Sequence, residues 1–171
     1  MDSQKGRSSE TSSVFPSENP VQVQLKKLQI IRGAIIAGPL AFMTVALMIN
    51  QGDLVIKFEF LEILAMGFAS SALASYFLID KFYCIKNLDT IRSLPADEMD
   101  SVLAKELVTL GIIKSAILEG ATIFGFLLIL IEKSMVGLIV GVLLIMVSIA
   151  TFPTSSRFNQ MLVSLKFRVG L

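Results

Sequence analysis

Three glutamates are the side chains of this sequence most able to do chemistry. Glu119 sits inside the apolar run IIKSAILEGATIFGFLLILI at 112–131, and Glu59 and Glu62 lie three apart in LVIKFEFLEILAMGFASSALAS. A carboxyl in such a run can take up and release a proton or hold a cation. An acid in hydrocarbon is also costly enough to be a first functional suspect. The bland account of Glu119 is a hydrogen bond tying its helix to a serine or threonine on a neighbour. It lies about seven residues into the run, roughly 10 Å from the edge at 1.5 Å per residue. Lys114 is five residues away, off the i,i+4 spacing of a helical ion pair. Glu59 and Glu62 share a helix face and could grip a cation. Lys57 stands beside them, however, and carboxylate-bridged di-metal bundles use Glu-x-x-His.

The chain has no histidine, which removes Ser-His and Cys-His nucleophiles, imidazole bases and imidazole ligands together. Its single cysteine, Cys84, excludes an intramolecular disulfide and any CxxC site. With no nucleophile–base pair or ligand set left, a non-enzymatic protein without metal or cofactor is expected. A net charge of +1 argues against a nucleic-acid partner.

The elements that must position these acids are apolar. The 171 residues are 54% hydrophobic and 17% charged, with mean hydropathy +0.74. A soluble domain carries about a quarter charged residues, so the excess apolar surface calls for lipid. The expected fold class is an all-α membrane protein with four transmembrane helices in two hairpins, over about 28–50, 54–79, 108–131 and 135–152. Each run approaches the roughly 20 residues that cross the hydrocarbon layer. Residues 1–24 are rich in Ser, Glu, Gln and Pro and read as a disordered tail, with Ser-Glu-Asn-Pro at 17–20 a candidate recognition peptide. No apolar core follows the first charges, so no secretory signal is expected. The polar stretch 81–107 is the one sizeable internal loop. Its SLPADEMDSVLAKEL reads as a helix start, lying near the membrane surface or running straight into the third span. After Pro153, residues 154–171 carry Phe158, Met161, Leu162 and Leu165 on one face, the pattern of an interfacial amphipathic helix.

Small residues recur every four positions within the spans. Gly33, Ala37 and Ala41 form one seam, with Ala34 and Gly38 beside it; Gly67, Ser71 and Ser75 form another. Gly137 and Gly141 make a GxxxG pair, and Gly120 and Gly125 lie in the third span. Such positions let helix backbones approach closely in lipid, so a homo-oligomer or a membrane-protein partner is expected. Pro39 should bend the first span, a cost that neighbouring helices can absorb.

Basic residues set the expected orientation. The tails and middle loop hold Lys5, Arg7, Lys26, Lys27, Lys81, Lys86, Arg92, Lys105, Arg157, Lys166 and Arg168, and the short turns only Lys57 and Lys133. Both termini and the 81–107 loop should then face the cytoplasm, in a bacterial-type inner membrane. The halves also align: IIRGAIIAGPLAF at 30–42 lies over IIKSAILEGATIF at 112–124 without a gap. Arg32 matches Lys114, Gly38 matches Gly120, and Ala37 stands where the second half has Glu119. A duplicated hairpin, giving parallel repeats about the membrane normal, competes here with chance likeness between apolar segments.

The run from Glu119 through Ala-Thr-Ile-Phe-Gly125 resembles the proton-binding helix of the rotor proteolipid of F- and V-type ATPases. The resemblance implies proton or cation translocation centred on Glu119, in a ring. It covers about ten residues, and the chain departs from the family in four ways. Glu119 falls in the first helix of its hairpin, the glycine-dense partner helix is unmatched, the polar loop signature is missing, and the internal loop and tails are longer. Over most of its length the chain is similar to a group of uncharacterised small bacterial four-span membrane proteins. That group shares an Asn-Pro tail, Ala-Ile-Leu-Glu-Gly-Ala in the third helix and Phe-Pro-Thr closing the fourth. This likeness implies architecture and no activity.

Overall fold

The computed structural model describes residues 19–50, 54–56, 59–82, 91 and 94–169. Five helices account for nearly all of them: α1 (Pro20–Ile49), α2 (Phe60–Phe82), α3 (Ala96–Glu132), α4 (Met135–Ala150) and α5 (Ser155–Val169). Three of these are long and apolar enough to cross a membrane, or four if the bent pair α4–α5 is counted as one span. Among the described residues there is no strand, and the all-helical, membrane-type character expected from composition holds.

α1 begins earlier than the expected tail boundary allows. Asn19 caps it, its side chain accepting the Val21 N–H at 3.0 Å, and Pro20 occupies the first helical position. An acceptor at the cap and a proline preset to helical φ start a helix efficiently, so residues 20–24 are helical. The Asn-Pro of the candidate recognition peptide is thus a helix start; residues 1–18 lie outside the described residues. Pro39 sits within α1, which runs on to Ile49 as one helix.

α2 begins at Phe60, and Leu54–Ile56 precede it as extended chain. There the Val55 N–H donates to the Lys133 carbonyl at 2.9 Å, and the Met135 N–H donates to the Val55 carbonyl at 3.0 Å. This isolated parallel bridge fastens the connection after α1 to the α3–α4 turn. That turn is tight: Lys133 takes φ 51°, its N–H bonding back to Ile129, and Ser134 caps α4 by accepting the Gly137 N–H. The loop helix and third span are one element, α3, whose 37 residues extend about 55 Å.

α3 packs against every other helix, while α1 and α2 lie on its two flanks and each also touches α4. Glycines bring the backbones of α3 and α4 into direct contact. A β-carbon on Gly125 would lie 3.0 Å from the Gly137 carbonyl oxygen, one on Gly137 would collide with the Gly125 carbonyl, and one on Gly141 with the Phe126 ring. The Gly137/Gly141 motif is therefore spent inside the chain. The core falls into three layers. One end joins Leu25 and Leu28 of α1, Leu103 and Leu107 of α3, and Phe158 and Leu162 of α5. The middle joins Ala69, Ala72, Leu118, Ala121 and Leu144, and the far end Ala46, Phe126, Ile129 and Ile145.

α5 turns 77° from α4 after Pro153. Phe158 and Leu162 of its apolar face are buried against the starts of α1 and α3 and Lys166 pairs with Asp100 of α3, while Met161 stays exposed.

Candidate functional site

The three glutamates are not brought together. Glu62 is 1% exposed on the inner face of α2, one turn from its start. Its Oε2 accepts the Glu59 N–H at 3.2 Å, half of a capping box in which the third helical residue reaches back to the cap. Its Oε1 is buried with no hydrogen-bond partner. Glu59 is exposed, so the pair meets through a backbone amide and does not present two facing carboxylates. No group of three or more acid, cysteine or histidine side chains among the described residues could hold a metal ion.

Glu119 is half-buried on the edge where α3 meets α1, its Oε1 3.5 Å from where a β-carbon on Gly38 would stand. The bare backbone at Gly38 makes room for the carboxyl, which forms no hydrogen bond to another described residue. The small residues divide cleanly. Gly33, Ala37, Gly38, Ala41, Gly67, Ser71 and Gly120 are exposed on the outer surface of the bundle, whereas Gly125, Gly137 and Gly141 are buried. Nothing within 4 Å would meet a β-carbon on Gly33, Gly67 or Gly120.

The densest polar chemistry lies elsewhere, at the end where α1 and α3 enter the bundle and α2 and α4 leave it. Arg32 of α1 is 6% exposed. Its Nε donates to Ser115 Oγ at 2.7 Å, Nη1 to the Thr151 carbonyl at 2.6 Å, and Nη2 at 3.4 Å to both the Tyr76 hydroxyl and Thr151 Oγ1. The planar fork lets one side chain span three helices, which a lysine could not do. Thr151 closes α4, so the guanidinium also faces the negative end of that helix. Gln29, nearly a turn earlier, donates to the Pro153 carbonyl at 2.9 Å, and Arg157 to the Ala150 carbonyl, so the bend between α4 and α5 is held from both sides. Beside Arg32, Lys114 of α3 pairs with Asp80 of α2 at 2.6 Å and stands 4.9 Å from the Tyr76 ring centre.

Sequence reasoning singled out Glu119 and passed over this junction, though one signal pointed there. Arg32 and Lys114 are the two basic residues that align between the halves, and both are buried at the same end. Their partners Tyr76, Asp80 and Thr151 are too scattered along the chain to be paired without the fold. Compared with known proteins, the chain matches no family model, no curated protein and no solved structure.

Proposed function

We propose that this is a small integral membrane protein that acts as a non-enzymatic scaffold or accessory subunit, associating with copies of itself or with another membrane protein through small-residue helix faces. Four crossings, with both ends and the middle loop cytoplasmic, fit the basic residues gathered at the Arg32 end. α4 is the short crossing, about 24 Å over its 16 residues, and its exposed Ile139, Leu143 and Met146 suit lipid. The observation that carries the reading is the split among small residues. Gly125, Gly137 and Gly141 are consumed where α3 meets α4, while Gly33, Ala37 and Ala41 of α1, Gly67 and Ser71 of α2 and Gly120 of α3 are exposed, and a β-carbon on any of these exposed glycines would meet nothing. In lipid, close backbone approach at such faces drives association.

Mass measurement of the detergent-solubilised protein, with cross-linking in the native membrane, tests this. Self-association or capture of one membrane partner is expected, and Ala37→Leu should weaken it about tenfold or more. A strictly monomeric protein that cross-links to nothing ends the proposal.

Glu119 supports a second reading, proton or cation translocation as in the proteolipid it resembles, because its carboxyl lies half-buried at a helix boundary without a hydrogen bond. In reconstituted vesicles Glu119→Gln should abolish proton flux under that reading; equal flux in both proteins rules it out.

A further inference from the structure

We propose that the junction of Arg32, Tyr76, Asp80 and Lys114 is a binding site for an anionic oxygen group, specifically a phosphate. The donors there outnumber the acceptors. A guanidinium has five N–H groups, and Arg32 meets four acceptor atoms, two of them at 3.4 Å. The Lys114 ammonium has three, and its one acceptor among the described residues is the Asp80 carboxylate. The Tyr76 hydroxyl accepts from Arg32, and its own proton has no acceptor among the described residues. Arg32, Tyr76 and Lys114 are each more than nine-tenths buried, so water reaches them poorly.

The charges are unequal too. Among the described residues the junction holds two cations, Arg32 and Lys114, and one carboxylate, Asp80, which pairs with Lys114, so these three charges sum to one positive. The negative end of α4 offsets about half of it. Buried cations and donors are costly unless answered by acceptors. The group that answers all three donors is acceptor-only, negatively charged and bears several oxygens, which describes a phosphate. Its way in is the Asp80 side, where the carboxyl is 39% exposed and the Lys114 side chain is 10% exposed behind it. This inference does not depend on self-association. The same chemistry serves the headgroup of an anionic lipid at the end of the bundle or a free phosphate from solution.

The test uses the full chain in neutral maltoside detergent, measuring binding by titration and by thermal unfolding with phosphatidylglycerol, phosphatidylcholine or inorganic phosphate. Saturable binding of phosphatidylglycerol, at least about tenfold tighter than of phosphatidylcholine, is expected. Tyr76→Phe and Lys114→Gln should each weaken it about tenfold, the worth of one hydrogen bond to a charged group, while Asp80→Asn should not weaken it. Tyr76→Phe keeps the ring but removes an acceptor of Arg32, so its unfolding without ligand is measured alongside; should it fail to fold, Lys114→Gln decides. A shift with inorganic phosphate alone assigns the free anion, and a shift with phosphatidylglycerol alone assigns the headgroup. No binding of either, equal binding of phosphatidylcholine, or affinity unmoved by both variants overturns the proposal.

Discussion

At the scale of residues, Arg32 does more to fix the bundle than any acid. Its guanidinium reaches Ser115 of α3, Tyr76 of α2 and the end of α4, so loss of one side chain unties three helices. Arg32→Ala should lower stability by about 3 kcal/mol, because it removes hydrogen bonds to a charged group and leaves the Thr151 carbonyl buried without its partner. Arg32→Lys should recover little, since one ammonium cannot meet Ser115 and Thr151 together. Thermal unfolding of both variants in detergent checks this, and a lysine variant as stable as the parent would contradict it. Legibility was uneven at this scale. Glu119 stood out because an acid in an apolar run is visible without partners. The junction did not, because each member looks ordinary until helices from both halves converge on it.

Elements were more legible where hydrophobic length decides and less where backbone pairing does. α4 falls close to its expected span, α3 ends close to its own but begins at Ala96, and the turn at Lys133 is where the polar break placed it. Leu54–Ile56 looked like helix because it is apolar; it instead runs extended, and Val55 bonds to the α3–α4 turn. Hydropathy cannot separate these outcomes, since both remove apolar residues from water. The glycines repeat the lesson. Gly67 and Gly137 look alike in sequence, yet a β-carbon is free at the first and meets backbone at the second. Gly137→Ala should therefore cost about 1–3 kcal/mol through overpacking. Gly67→Ala should be neutral or stabilise by up to about 1 kcal/mol, as alanine favours a helix. Denaturation of both variants under identical detergent conditions gives the comparison, and similar losses would refute the direct backbone contact of α3 with α4.

For the whole molecule, the proposed orientation is the statement most open to a direct check. With Cys84 replaced by Ser, a cysteine at exposed Ile56 should react with an impermeant maleimide on intact cells, and one at exposed Ser156 only after the membrane is opened. The opposite pattern would invert the protein. Class and approximate spans could be read from composition because lipid selects on bulk apolarity. The packing of α5 on α1 and α3 could not, because the same amphipathic stripe serves a bilayer surface or a neighbouring helix equally well.

The Val55–Ser134 bridge fastens one end of the molecule, and the Arg32 and Lys114 contacts fasten the level where α2 and α4 end. A bundle hooped at both levels cannot splay open like a pair of tongs. Whatever give it has must come as bowing at the waist, where α1 carries Ala37, Gly38 and Ala41 and where Glu119 stands at the seam.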